Sequence, residues 1–522
     1  MSFRRTFLPI ALALAVLAPA FGQDAAQGKT LSLTLSDVIT RSLQKNIALQ
    51  AAIVSPEISQ AAVTQAQEKY IPTFTFSWQD QYNKSAAYSW LDATGAQNIT
   101  KGQNYSGQVS EALPTGGTFG ISVTGSTTDT NKKAQTINPS YQGQLAFNYT
   151  QPLLQGFGPS IANYNIIVAR KNLDISDTTL EKTVQDTVYN AAQLYWNLVY
   201  AIENYKVQQL ALQLAKDQLT LNQRSVEIGT LSPLDLMSAQ AEVATREANI
   251  IAADASIKNA EDQLKILINL SDEEEKGLRS VVALDKPSLE EQKADVDEAL
   301  ALAMAKRTDL RIAHMGLDLN NLGLSYTKNQ LLPNLSLTAS FFGPGVSGTQ
   351  ILYSGNPLDG IVLGTVPGTG SQALKDAFSF KYPNWSIRFN LNIPLSNLIS
   401  RAAYTQSKLA LDQALLNLKN TEKQVLLEIR TAVRTLQTTY KQVVAYKVAR
   451  ELAEQKLSAE EERLRVGLST NYLVLQYQRD LTTARVSELQ AIISYNLAQV
   501  ALDRSTGTIL EKRKIKVDDI LK

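Results

Sequence analysis

Residues 70–76 read Tyr-Ile-Pro-Thr-Phe-Thr-Phe, and residues 331–337 repeat this pattern as Leu-Leu-Pro-Asn-Leu-Ser-Leu. In both stretches an amphipathic segment ends before a proline and strict alternation of apolar and polar residues follows. A second pair of matching stretches surrounds Gly229 and Gly467. The intervening elements recur in the same order over a period too long for a solenoid repeat, so the sequence predicts two copies of one structural unit.

The two copies and the segments around them divide the whole chain. We expect repeat 1 at 35–270 and repeat 2 at 296–510, each with a first helix, strands and a long helical hairpin. We expect the strands at about 73–151 and 334–394, the hairpins at 160–270 and 401–505, a signal peptide at 1–22, linkers at 23–34 and 271–295, and a tail at 511–522.

The first residues have the composition of a secretory signal. Arg4 and Arg5 precede the apolar run 7–17, which is shorter than the roughly 20 residues of a spanning helix, so we expect a cleaved signal. The chain has no Cys, hence no thiol for lipid attachment and no disulfide. Its 50 basic and 49 acidic residues form no dominant basic stripe, so nucleic acid is not an expected partner.

The residues after Pro72 predict a strand with two different faces. Phe74, Phe76 and Trp78 lie on one face, and Thr, Ser and Gln lie on the other. A soluble sandwich shows such alternation too, but the export signal favours the apolar-out, polar-in pattern of an outer-membrane barrel. Four principal strands per chain are too few to close a barrel, so the chain must oligomerise. The sequence does not decide whether an extra hairpin at 105–123 joins the barrel.

The strongest helical signal is heptad spacing. Seven positions in 184–205 and seven in 425–446 step by four and three residues, which predicts a coiled-coil seam in each half. These long helices would reach roughly 100 Å and reverse at the two glycines. The returning helices are half as long and would pack on the distal half of their partners. The first helices, 36–70 and 296–331, would fill the proximal half, with breaks expected at Pro56 and at 307–309.

The whole layout after the signal resembles the TolC-type outer membrane efflux protein family. The specific matches are Thr-Gln-Pro-Leu-Leu-Gln-Gly-Phe-Gly at 150–158, Asn-Ile-Pro-Leu at 392–395, and the helix-turn-helix tips at Gly229 and Gly467. The resemblance implies an α+β membrane protein and a homotrimer. Four strands from each of three chains would close a 12-stranded β-barrel, continuous with a long α-helical coiled-coil tunnel in the periplasm.

The resemblance also implies a function. Such proteins are passive exit ducts in the lipids of the outer membrane, within tripartite efflux or type I secretion systems. A periplasmic adaptor, also called a membrane fusion protein, docks at the helical tips, and an inner-membrane transporter supplies the energy. The cargo would be small molecules or polypeptides. Alternatives are a diffusion porin, which would use more strand, and an export-dependent coiled-coil structural protein or adhesin, against which the paired strands argue.

Catalysis is not expected from these residues, and neither is a cofactor or a resident metal. The only histidine, His314, stands on a predicted helix without the Cys or second His that a metal site or a catalytic triad would need. Residues 343–348 fit the G-x-G-x-x-G pattern. They contain Pro344 and do not open a helix, so we interpret them as an external loop of the barrel.

The helical tips are the predicted functional region. In the family the tip also narrows the entrance, often with acidic rings. Such a position is occupied by Asp235 in repeat 1, whereas repeat 2 has Leu473 and Gln476 there, which predicts fewer acidic rings. Each candidate also has a purely structural alternative. The glycines would only cap helices, the arginines would only be solvated, and Asp235 would only interact with the helix dipole. The entrance candidates are Asp235, Tyr472, Leu473 and Gln476, and the adaptor-docking candidates are Arg224, Gly229, Leu231, Ser232, Arg463, Arg465, Gly467, Leu468 and Ser469.

Overall fold

The computed structural model of the chain describes residues 29–89, 91–93, 95, 97–271, 274, 278–359 and 361–517. The predicted signal peptide, 1–22, and the last part of the predicted tail, 518–522, lie outside the described residues. The helices are α1 (Leu35–Lys45), α2 (Ile47–Gln67), α3 (Pro159–Ala162), α4 (Tyr164–Glu227), α5 (Pro233–Leu267), α6 (Val296–Lys306), α7 (Thr308–Asn329), α8 (Gly370–Phe378), α9 (Leu398–Arg465), α10 (Asn471–Ser505) and α11 (Ile509–Lys512). The strands are β1 (Lys29–Leu33), β2 (Thr73–Ala86), β3 (Gln97–Ala112), β4 (Thr118–Thr130), β5 (Ile137–Pro152), β6 (Leu278–Ala283), β7 (Asn334–Tyr353), β8 (Val362–Val366) and β9 (Asn384–Asn392).

Two long helices, α4 and α9, form the framework of the molecule. They have 64 and 68 residues, which corresponds to roughly 100 Å each. The heptad positions of α4 from Val184 to Leu198 are buried, as are Val425, Ile429 and Leu436 of α9, whereas the last position, Tyr446, is exposed. Helices α5 and α10 pack along α4 and α9, and the first helices α2 and α7 pack on the same two partners. The predicted coiled-coil arrangement is therefore present within the chain.

The first helix of each half is broken by one residue in extended conformation. Asn46 separates α1 from α2, and Arg307 separates α6 from α7. The expected break at 307–309 is confirmed, but the one at Pro56 is wrong, because Pro56 lies inside α2. The Asn46 side chain accepts a hydrogen bond from the Leu49 N–H at 2.9 Å and so satisfies a donor at the start of α2. An internal proline removes one helical hydrogen bond, and the packing of α2 on α4 offsets that loss.

Parts of both predicted linkers form a small parallel sheet. β1 pairs with β6, with Leu31 opposite Val281 and Leu33 opposite Ala283. Leu33 and Val281 are buried in a core shared with α1, α4 and α5. Ile515, within the predicted tail, packs against the same core. These residues are therefore ordered structure, and the prediction missed them because neither short strand has a partner nearby in sequence.

The other strands form one antiparallel sheet. The strand order is β2-β3-β4-β5-β7-β9, and the short β8 pairs with the far end of β7. The hairpin at 105–123 joins this sheet as β3 and β4, inserted between β2 and β5. Among the described residues, the expectation of four principal strands is therefore corrected to six strands that lie side by side in the sheet. The turn at Gly116, whose φ of +92° suits glycine, reverses the chain between β3 and β4.

The large sheet has one apolar and one polar face, since residues paired across strands share a face. One row of paired residues across all six strands is apolar: Phe74, Val109, Ile121, Phe147, Phe341 and Trp385. The adjacent row lies on the opposite face and is polar or small: Thr73, Ser110, Gly120, Asn148, Ser340 and Ser386. The predicted alternation is therefore coherent across the sheet, including the inserted hairpin.

Helix α8 lies on the apolar face, over β5 and β7. A Cβ atom on Gly345 would stand 1.9 Å from the Ala373 carbonyl oxygen, and one on Gly343 would stand 2.8 Å from the Ala377 carbonyl oxygen. The interpretation of 343–348 as an external loop is wrong, because these residues lie within β7. Their glycines serve the close approach of a helix to a strand.

Candidate functional site

Each long helix ends in a glycine that reverses the chain at a helical tip. Gly229 and Gly467 both have a φ of +78°, in the left-handed region that favours glycine. The Leu468 N–H donates to the Arg463 carbonyl at 2.8 Å and the Thr230 N–H donates to Ser225 at 2.9 Å, which closes the last turn of each helix. A Cβ atom on either glycine would meet nothing within 4 Å. The requirement for glycine is therefore conformational.

The first tip leads directly into α5. Ser232 caps this helix by accepting a hydrogen bond from the Leu234 N–H at 3.1 Å, and Pro233 occupies the first helical position. Asp235 lies half-buried in the first turn, where the helix dipole stabilises a carboxylate. Leu231 is half-buried, and Arg224 is exposed on the last turn of α4. Ser232 is thus a structural cap, and Arg224 is available at the surface of the tip.

The second tip is held by a buried carboxylate. The Ser469 hydroxyl donates to Glu460, which is buried, and Arg463 Nη1 lies 3.2 Å from the other oxygen of Glu460. Ser469 and Arg463 therefore fix the turn, whatever else they contact. Within the described part of the chain, Arg465 forms an ion pair with the exposed Glu462 at 2.6 Å, and such a pair contributes little stability.

The start of α10 carries the remaining entrance candidates. Tyr472 and Gln476 are exposed, and Leu473 is half-buried. None of the three has a carboxylate, so Asp235 is the acidic member among the four predicted entrance residues.

Apolar side chains protrude from both tips. Leu468 and Tyr472 are among the site residues predicted from the sequence. The other four, Ile228, Leu234, Met237 and Val466, are not, although an apolar residue directly precedes each tip glycine. Exposed apolar clusters of this kind mark interaction sites. Each of the following is at least 64% exposed: Ile228, Leu234 and Met237 at the first tip, and Val466, Leu468 and Tyr472 at the second.

Buried polar side chains join the two hairpins of the chain, and the sequence did not reveal them. Gln218 of α4 donates its amide to Asn471 of α10 at 2.8 Å. Glu242 of α5, also buried, contacts Arg246 at 2.8 Å and Arg479 of α10 at 2.6 Å. A buried carboxylate is costly without such partners, so these contacts fix how the hairpins pack.

The described residues offer no metal site, since no group of His, Cys, Asp and Glu among them could hold an ion. His314 is exposed on α7. None of the helices in the described part of the chain has the length and hydropathy of a membrane-spanning segment.

Comparison with known proteins gives the architecture a family. A family model described as Outer membrane efflux protein matches residues 38–270 and 299–508. Outer membrane protein TolC of Escherichia coli (strain K12) is 24% identical over 357 residues, 68% of each chain. Outer membrane efflux protein BepC of Brucella suis is 24% identical over 393 residues, 74% of this chain and 76% of the relative.

The fold is also similar to that of a solved channel. The Campylobacter jejuni CmeC outer membrane channel superposes with a TM-score of 0.62 at 18% identity, over 93% of this chain and 90% of that chain. This likeness concerns the fold, and the curated relatives are described as outer membrane proteins. Because the family model matches far more than half of the chain, this protein belongs to the outer membrane efflux protein family, the family of TolC.

Proposed function

We propose that this protein is the passive outer membrane duct of a tripartite efflux system. Three copies would assemble so that their sheets close a barrel in the lipid and their hairpins form a coiled-coil tunnel in the periplasm. One observation supports this proposal: a sheet with one apolar and one polar face continues, at one of its ends, into two helices that are each roughly 100 Å long. A single chain cannot close this sheet, whereas several copies can.

The tunnel would be built from six similar hairpins, two from each chain. Helices α4 with α5 and α9 with α10 have similar lengths and similar glycine tips. Such a ring resembles sixfold packing although the assembly is threefold. The order of elements in the two halves, and the match of the family model to one segment in each, support an internal duplication.

The tips are proposed as the docking site for a periplasmic adaptor, which in turn links the duct to an inner-membrane transporter. The exposed apolar side chains at both tips support this proposal, because side chains of this kind would be suited to grooves between the helices of a partner. Asp235, Tyr472, Leu473 and Gln476 are proposed to line the entrance. The cargo, small molecules or polypeptides, would be selected by the transporter, and the same architecture would serve type I secretion.

A deletion strain tests this function. Loss of the gene is expected to raise sensitivity to exported toxic compounds, and the cloned gene is expected to restore resistance. The protein should fractionate with the outer membrane as trimers that resist mild heating in detergent. Unchanged sensitivity to all tested compounds together with unchanged secretion of polypeptides would contradict an export role, and a monomer in the membrane fraction would contradict the duct.

A further inference from the structure

We propose that three copies of this chain close an 18-stranded barrel, in which the edge of β2 pairs with the edge of β9 of the next copy. This inference rests on the trimeric duct proposed above. It assigns the surface through which the copies meet and the width of the exit. The number follows from six strands on one sheet path in each of three chains.

The first observation is the state of the two edges. Among the described strands, β2 bonds only to β3, and β9 bonds only to β7. Phe74 on β2 and Trp385 on β9 are 70% and 74% exposed. Unpaired backbone groups at a sheet edge are costly in lipid, so both edges need a partner there.

The second observation is strand direction. β2 starts at Thr73, just after the turn that follows α2, and therefore runs away from the helices. β9 ends at Asn392, shortly before α9, and therefore runs towards them. Placed side by side, the two edges are antiparallel, like every other neighbouring pair in this sheet. Their occupant is thus a second copy of this chain.

The third observation is the match of faces and lengths. Phe74, Phe76 and Trp78 share the apolar face with Trp385 and Ile387, so pairing β2 with β9 continues one apolar surface around the ring. β9 has 9 residues and β2 has 14. A tilted strand needs about 9–11 residues to cross a bilayer, so even the shorter strand is close to that length.

The inserted hairpin is part of this wall. All of β4 from Thr118 to Thr128 is paired on both sides, with β3 and with β5. Removing β3 and β4 would leave four strands per chain and twelve in a trimer. Because barrel diameter grows roughly linearly with strand number, the full barrel would be about one and a half times as wide, in the range of porins with an aqueous channel.

Counting strands in the purified trimer by electron cryomicroscopy in nanodiscs tests the inference directly. We expect 18 strands in the wild type, and 12 in a variant that lacks 97–130, which keeps β2 and β5 joined by a loop. A wild-type trimer with 12 strands would overturn this inference and leave the export function intact. An assembly that is not trimeric, with no export phenotype, would instead overturn the proposed function.

Disulfide trapping in intact membranes gives an independent test, because the chain has no other Cys. Cysteines at Ser122 and Ala146, which face each other across β4 and β5, should form a bond within the chain. Cysteine at Thr75 combined in turn with Ser386, Arg388 or Asn390 should link copies into covalent trimers in at least one combination. The control pair, Ser122 with Asn390, should give no link between copies. The 18-stranded wall would be overturned if the cysteines at Ser122 and Ala146 formed no disulfide, or if the cysteines at Ser122 and Asn390 linked copies.

Discussion

Glycine is required at the two tips by backbone conformation, since φ is +78° at both and space is open around each. A β-branched residue in the left-handed region is strained by about 1–2 kcal/mol. Other single residues of the site have fixed structural tasks, as Ser232 does in capping α5 and Ser469 does in binding Glu460. At this scale, replacing one side chain tests whether a residue shapes the tip or contacts a partner.

Replacing Gly467 by Val is expected to abolish or strongly reduce export while trimers remain in the outer membrane. The strained tip would adopt another turn, and the docking surface would lose its shape. Gly467→Asn is the matched control, because Asn tolerates the left-handed region, and it should retain most export. Export is measured as drug resistance of the complemented deletion strain. Normal resistance with Gly467→Val would exclude this tip from docking.

Asp309 predicts how stability depends on pH. Burial raises the pKa of Asp309, but the Arg307 guanidinium, whose Nη2 lies 2.6 Å from Asp309 Oδ2, and the Leu310 N–H together lower this pKa below its ordinary value. A carboxyl whose folded pKa is lowered contributes stability above its unfolded pKa and loses it as the pH falls through the folded pKa. We expect Asp309→Asn to lower the free energy of unfolding by about 2 kcal/mol at pH 7.

The thermal midpoint of the helical signal in detergent is the measurement for Asp309. The wild type should exceed Asp309→Asn at pH 7, and the difference should shrink as the pH falls below about 4. Asp318→Asn is a suitable control, since its contact with Lys171 is at 4.0 Å and exposed. A difference that stays constant down to pH 3 would contradict the assignment.

At the scale of elements, the heptad seams hold each hairpin together. Leu436 of α9 is fully buried in a core that includes Tyr495 and Leu502 of α10 and Leu310 of α7. Burial of such side chains, more than helix propensity, stabilises long helices in water. The tips lie at the far end of these hairpins, so the same packing positions the docking surface.

Replacing Leu436 by Ala is expected to lower the free energy of unfolding by about 2–5 kcal/mol, because it removes buried methyl groups and leaves a cavity. Thr438→Ala changes an exposed neighbour on the same helix and should stay within about 0.5 kcal/mol of the wild type. Thermal melting followed by circular dichroism measures both. Equal melting of the two variants would show that this seam does not hold the hairpin.

At the scale of the whole molecule, a single chain exposes large apolar side chains to solvent on its longest helix. Leu409, Leu416 and Leu427 of α9 are each at least 63% exposed. Their spacings of seven and eleven residues place them on one face of α9. An exposed apolar helix face of this kind marks an interface. Together with the free edges of β2 and β9, it indicates that neighbouring copies meet along the helices as well as along the sheet.

Replacing Leu416 by Asp is therefore expected to abolish trimers while the protomer remains helical, since a carboxylate would be buried between copies. Asn417→Asp introduces the same charge on a neighbouring exposed residue and should leave trimers intact. Light scattering in detergent gives the oligomeric state, and circular dichroism gives the helix content. Heat-resistant trimers of Leu416→Asp would contradict an interface at this position.

Elements that depend on local spacing are predictable from the sequence alone. Heptad positions from Val184 onward predict the seam of α4, alternation after Pro72 predicts β2, and Gly229 predicts the first tip, because each signal lies within a few residues of its effect. The candidate tips were found in this way, but the exposed Ile228 and the buried Glu242 were not. Their exposure and burial depend on helices that pack from elsewhere in the chain.

Features that depend on residues distant in the sequence become visible only in the folded chain. It inserted β3 and β4 between β2 and β5, paired β1 with β6, and moved the helix break from Pro56 to Asn46. It also laid α8 against the glycines of β7 and joined Glu242 to Arg479. In each case the stabilising contact comes from a partner that local periodicity cannot specify, since one strand or helix pattern is compatible with many neighbours and packing selects among them.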